Sequence, residues 1–245
     1  MVILKLNYYD LNCSKYPQVK NILLFSAALI YANSCFSQNV IDRKKSLTAF
    51  VTEKYHTVIE TNKEVKQGQY QAFYNKNLLV NGQFTDDKKT GIWRFNNKYG
   101  QLLETYNYDT NTLVYEAVED TLSNMRYNAD IAVDAKDRTT KPVKIGGRYY
   151  AYLPYLKLFK LPAYIQPNMR DNYVVILELL VSPGGRLADC KIHLKLAADD
   201  DIVHVNTDLL KEEDKQLIPA TLNDQPISCR IFIRCYINYY DEIDI

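Results

Sequence analysis

The chain is short of the residues that build special architectures. Of its 245 residues only 8 are glycine and 8 are proline, too few for a fibrous or low-complexity protein. Neither sign of charge is in excess: 30 Lys and Arg stand against 29 Asp and Glu. That balance, with basic and acidic residues interleaved, excludes a nucleic-acid binder that works by broad phosphate neutralisation. The longest apolar run, Ile22 to Tyr31, has ten residues, about half of the roughly 20 a membrane-spanning helix needs. Catalytic signatures are also missing. No Gly-x-Ser-x-Gly elbow or Walker-type Gly-Lys-Ser/Thr is present, and His56, His193 and His204 have no metal-ligand spacing. Cys190 and His193 would point to opposite faces of one strand, so they cannot share a metal. The paired acids Asp86-Asp87, Asp199 to Asp201 and Glu212-Glu213 read as solvated surface. The sequence therefore predicts no enzyme, no cofactor and no metal.

What is present begins with apolar content of 47%, enough to exclude wholesale disorder, and 21 tyrosines, an aromatic excess that favours strands. Lys15 and Lys20, the run Ile22 to Tyr31 and the small, polar stretch 33–38 form the tripartite pattern of a secretory signal peptide. Cleavage is placed after Ser37, with residues 1–18 an upstream extension if translation starts at Val19. Cys35 also offers a lipidation site. Of the remaining cysteines, Cys229 and Cys235 would stand about 20 Å apart on one strand at about 3.3 Å per residue, too far for a bridge. Cys190, Cys229 and Cys235 all fall at apolar positions and read as small buried hydrophobes.

From His56 to Tyr115 the chain is punctuated by Gly68-Gln69-Tyr70, Gly82-Gln83-Phe84 and Gly91-Ile92-Trp93, with short alternating segments between and polar turns such as Asp86 to Gly91. Such spacing predicts stacked hairpins whose rings pack on one another. These residues resemble MORN-type repeats, over about residues 60–110, and the resemblance implies a scaffold or contact surface. Residues 116–144 are polar and weakly periodic and are expected to be a connector between a repeat domain, 38–115, and a second domain, 145–245.

In that second part, Tyr173 to Val181 is a nearly continuous apolar run, Ser182 to Gly185 a tight turn, and Leu187 to Leu196 alternates in and out, with Ala188 assigned inward: a hairpin. Ile202, Val205, Leu209 and Leu217 behind three aspartates predict a helix ending before Pro219. Ile227 to Tyr239 predicts a final strand, odd positions through Tyr239 inward and Arg230, Phe232, Arg234 and Tyr236 outward. Val181 to Asp189, Leu217 to Pro226 and this closing strand resemble the TonB carboxyl-terminal domain, over about residues 145–240. Ile145-Gly146-Gly147 and Leu161-Pro162-Ala163 sit at its Gly-Gly and Tyr-Pro positions, with Leu161 in place of the Tyr and Asp224-Gln225 in place of the usual Gly.

The expected fold class is thus mainly β with an α+β part: an antiparallel hairpin meander, then a TonB-like unit of hairpin, helix and final strand. The resemblance implies binding of an extended receptor peptide by addition to an open strand edge. The final strand is the expected edge, with Arg230, Phe232, Arg234 and Tyr236 as partner-binding residues. Between Gln38 and Ile145 the only proline is Pro142, so no stiff Pro-rich spacer separates the two parts. The expectation is an exported interaction protein in the periplasm or envelope of a Gram-negative bacterium, binding an envelope protein, a receptor peptide or a second copy of itself. It would contact a membrane without spanning it, bind no nucleic acid, and take part in TonB-type transport if its partner is a receptor. The alternative is a structural, oligomeric envelope scaffold with no peptide-binding role.

Overall fold

A computed structural model describes residues 40–120 and 123–245. The expected signal peptide, its extension and Cys35 lie outside the described residues. Residues 41–245 form one compact unit, and every strand pair in it is antiparallel. The protein is mainly β.

The first half is an uninterrupted meander of seven strands, each paired with the next. They are β1 (Ile41–Ser46), β2 (Val51–Glu60), β3 (Lys63–Tyr74), β4 (Asn77–Thr85), β5 (Lys88–Asn96), β6 (Leu102–Asn107) and β7 (Thr112–Glu116). The Gly-x-aromatic units supply its core, as a hairpin stack requires. Trp93 is fully buried, with ring centres of Phe84, Tyr70, Tyr108 and Phe95 at 5.2, 5.3, 5.5 and 6.1 Å. Gly82 on β4 lies against the face of the indole, where a Cβ would stand 2.2 Å from Trp93 Cδ2. Gly82→Ala must therefore displace a fully packed ring and is expected to destabilise the fold by about 1–3 kcal/mol, the usual range for overpacking. Urea denaturation checks this; an unchanged midpoint would show that the ring moves freely.

The second half carries β8 (Met125–Ala129), β9 (Thr139–Thr140), β10 (Val174–Val181), β11 (Leu187–Leu196), β12 (Asp199–His204), β13 (Ala220–Leu222), β14 (Gln225–Ile227), β15 (Cys229–Ile237) and β16 (Ile243–Asp244). Its main sheet runs β12-β11-β10-β15, with β8 and β16 both on the far side of β15; β14-β13-β9 form a small separate sheet. The predicted hairpin is β10 and β11. Its alternation is interrupted once, where the register shifts between Leu180 and Val181 so that Asp189 and Leu187 face them and Ala188 has no opposite residue. Ala188 is exposed as a result of this bulge. Along the final strand Ile231 and Ile233 are fully buried and Cys229, Cys235 and Ile237 nearly so, while Tyr239 is 68% exposed because the chain has already turned at Asn238. Cys190, Cys229 and Cys235 are unbridged and buried.

Two expectations are corrected. The stretch from Ile202 to Leu217 is no α-helix: Ile202 and Val203 continue β12, and two short 3-10 turns, Thr207–Leu209 and Glu212–Lys215, follow. A two-residue turn at Ala197-Ala198 sets Leu196 opposite Asp199 and brings the β-branched pair Ile202-Val203 opposite His193 and Ile192, so pairing with β11 outweighs a weak helical spacing. Residues 116–144 are no free connector either: β8 pairs with β15 and β9 with β13.

The two halves share one core. Tyr149, the 3-10 turn Tyr150–Tyr152 that follows it and α1 (Leu153–Leu156) supply the buried Tyr149, Tyr152, Leu153 and Tyr155, clustered with Trp93 and Phe95 of the meander and Leu177, Ile192 and Ile231 of the second sheet. Polar contacts cross as well. Tyr70 Oη reaches Glu53 at 2.8 Å and Tyr150 Oη at 2.5 Å. Buried Glu104 on β6 accepts from the Gly146 and Gly147 N–H groups at 3.0 and 3.1 Å. Burial pushes its carboxyl up to about 7 against the lowering effect of those donors.

Candidate functional site

The predicted partner-binding residues lie on the solvent face of β15, but the strand is not an edge. Along one side Val175 to Val181 of β10 pair with Cys235 to Cys229. Along the other, Met125 to Ala129 of β8 pair with Ile233 to Cys229, and β16 takes Tyr236 and Ile237. Arg234 N donates to Asn124 O at 2.9 Å, closing the gap between them. The expectation that β15 offers an open rim is overturned: the chain's own residues 124–129 and 243–244 occupy it.

Two of the four side chains, Arg230 and Tyr236, are also engaged. Arg230 is held by Glu178 of β10 and by Asp130 Oδ1, the latter at 3.0 Å. Phe232 is half-buried and Arg234 exposed. Tyr236 Oη donates to Asp244 Oδ2 at 2.9 Å. Asp244 is buried and also accepts from Tyr149 Oη at 2.7 Å, which fastens the carboxyl-terminal strand over β15.

A charge ladder crosses this face diagonally. Glu178 accepts from Arg230 and sits 2.7 Å from His193 Nε2, whose Nδ1 lies 3.1 Å from Asp200 Oδ2; Lys195 Nζ is 3.0 Å from the same Asp200 oxygen. Burial raises the Glu178 carboxyl, but the His193 and Arg230 hydrogen bonds outweigh it and hold the group below the usual range. The two imidazole nitrogens point at different carboxylates, so the three acid and base groups do not converge on one point. Among the described residues no group of three or more His, Cys, Asp or Glu side chains could hold a metal ion. The ladder ties four strands together and leaves no reactive group pointing at a cavity.

A hollow of about 460 Å³ opens beside Glu116, Glu119, Met125, Tyr127 and Lys141. Its charges neutralise one another: Lys141 Nζ reaches Glu116 at 2.7 Å and Glu119 at 3.0 Å, and Tyr127 Oη donates to Glu119 at 2.9 Å. Among the described residues no helix is long and apolar enough to cross a membrane.

The open backbone lies elsewhere. β12 ends its sheet. Val205 N donates to Cys190 O at 2.9 Å, and the β11–β12 register places the odd residues Asp199, Asp201 and Val203 in the same hydrogen-bonding phase. The N–H and C=O groups of Asp200, Ile202 and His204 therefore face outward. Ile202 is 46% exposed, so an arriving strand would find an apolar side chain between Asp200 and His204. Sequence reasoning missed this edge because it assigned Ile202 to a helix. The signal was there, in a β-branched pair six residues past the end of a clean alternation. At the opposite end of the molecule's first sheet, β1 is likewise terminal. No model of a known protein family, no curated protein and no solved structure matches the chain.

Proposed function

We propose that the chain is an exported interaction protein of the cell envelope that recruits a partner polypeptide by strand addition, with no catalytic role. The observation that carries this reading is the free edge of β12, which presents the outward backbone groups of Asp200, Ile202 and His204 on a strand anchored to a fully buried sheet core. Main-chain pairing needs no cavity and no reactive side chain. The TonB-like resemblance supports the mode of recognition through its hairpin and final strand. Its edge moves from β15 to β12, and the expected intervening helix is replaced by β12 and two 3-10 turns. Participation in energised transport rests on that resemblance alone.

Site-specific photo-crosslinking in the bacterial envelope tests this reading. A photoreactive residue at position 202 is expected to join a second polypeptide, and the same residue at position 232 is expected to join none. Crosslinks from 232 with none from 202 would return the contact to β15 and refute the proposal.

A further inference from the structure

We propose that the strand added to β12 is β1 of a second copy of this chain, joining molecules head to tail. This rests on strand addition at β12 and names its partner. The two terminal strands carry opposite charge. β1 presents Arg43, Lys44 and Lys45 in sequence, of which Lys44 and Lys45 are exposed; β12 presents Asp199, Asp200 and Asp201, all exposed.

The hydrogen-bond phases of the two edges also match. Leu47 N donates to Val51 O at 2.8 Å, and the β1–β2 register puts Ile41, Arg43 and Lys45 in the same phase toward β2. The backbone groups of Asp42, Lys44 and Ser46 therefore face outward, as do those of Asp200, Ile202 and His204 on β12. An antiparallel register that sets Lys44 opposite Asp200 makes both outward sets meet. It also sets Arg43 opposite Asp201, Lys45 opposite Asp199, and Ile41 opposite Val203, both half-buried. A parallel register would keep the charge pairs but lose that apolar pair.

The faces agree too. On β1 the side chains of Ile41, Arg43 and Lys45 lie on the side of buried Glu53 and Thr57, and on β12 those of Asp200, Ile202 and His204 lie with His193 and Lys191 on the solvent side. The joined sheet would keep one solvent face and one core face across the junction. Like-with-like pairing, β1 to β1 or β12 to β12, sets three charges of one sign against each other and is disfavoured. Two different edges on one molecule make a heterologous, head-to-tail contact, which builds a ring or an open chain and not a two-fold dimer.

Sedimentation of the purified exported chain over a range of concentrations tests this. The expected result is a series of species that grows past the dimer, with association weakened by at least about tenfold between low and high salt. Paired reversals, K44E with K45E or D199K with D200K, are each expected to leave monomers, and mixing the two variants is expected to restore assembly. I202P separates the two claims, because proline there removes an outward N–H and leaves the β11 ladder intact. If I202P assembles like the parent, the contact is not strand addition and the functional reading falls. If I202P is monomeric but both charge reversals assemble as the parent does, strand addition survives and the β1 partner is refuted. A parent chain that stays monomeric at every concentration and salt refutes self-assembly outright.

Discussion

Trp93→Ala is expected to cost about 3–5 kcal/mol, the range for removing a large aromatic from a packed core, and to loosen the half of the chain that does not contain Trp93. The indole is fully buried among four rings, and its Nε1 donates to Thr90 O at 3.2 Å and Gln83 O at 3.3 Å. The core it belongs to runs without a break from the meander through Tyr149 and Tyr152 to Cys190, Ile192 and Ile231. The thiols of Cys190, Cys229 and Cys235 are buried in the second half and so report on it directly. In Trp93→Ala they should be labelled faster by a thiol reagent, in step with the loss of circular dichroism from the meander. Independent domains divided at residues 116–144 would behave otherwise: labelling of Cys190 would keep its parent rate while the first half unfolded. The experiment thus measures both the weight of one residue and whether the chain folds as one unit.

The second large effect is a dependence of stability on pH that originates at Glu104. In the folded chain its carboxyl titrates at about 7, against an ordinary 4.5, with burial as the main cause. Between these values the folded chain holds a proton that the unfolded chain has released. Stability must therefore rise as pH falls from about 7 toward 4.5, by up to about 3 kcal/mol for the whole difference. Above pH 7 both states are ionised and the buried charge persists at full cost, softened by the Gly146 and Gly147 donors. Glu104→Gln has nothing to titrate, so its stability should change less across this window than that of the parent. Denaturant unfolding at a series of pH values measures the difference in slope. Equal slopes in the two proteins would show that Glu104 does not gain its proton on folding. The site matters because Glu104 belongs to the meander and its donors to the loop that leads into α1, so the proton is tied to the joint between the halves.

Much of the strand pattern was legible from residue order alone. Tyr173 to Val181, the Ser182 to Gly185 turn and the alternation of Leu187 to Leu196 define a hairpin because a two-residue period needs no distant information. The Gly-x-aromatic units are legible for the same reason, although only the structure shows that Gly82 is required by the face of Trp93 and not by its backbone angle. What stayed hidden depends on contacts distant in sequence. Met125, Tyr127 and Ala129 alternate over only five residues in a polar stretch, too short to announce β8, yet that strand seals β15. Ile243 and Asp244 form a two-residue strand held by Tyr149 and Tyr236, a contact no local pattern encodes. Tyr149 to Leu156 has neither strand nor helix period because it is packed from several sides. The error at Ile202 to Leu217 was of another kind, a competition between two local signals in which pairing with β11 decided the outcome. The candidate site moved with these strands: Arg230, Phe232, Arg234 and Tyr236 do share a solvent face, but the backbone beneath them is already paired.

Amide hydrogen exchange on the purified chain, followed from dilute to concentrated solution, tests the account at its centre. The account predicts that amides of Arg230, Phe232, Arg234 and Tyr236 on β15 are protected at every concentration, since β8 and β16 already bond that rim, and that Asp200, Ile202 and His204 gain protection only as molecules associate. Protection arising on β15 with concentration, while the β12 amides stay in fast exchange, would contradict it.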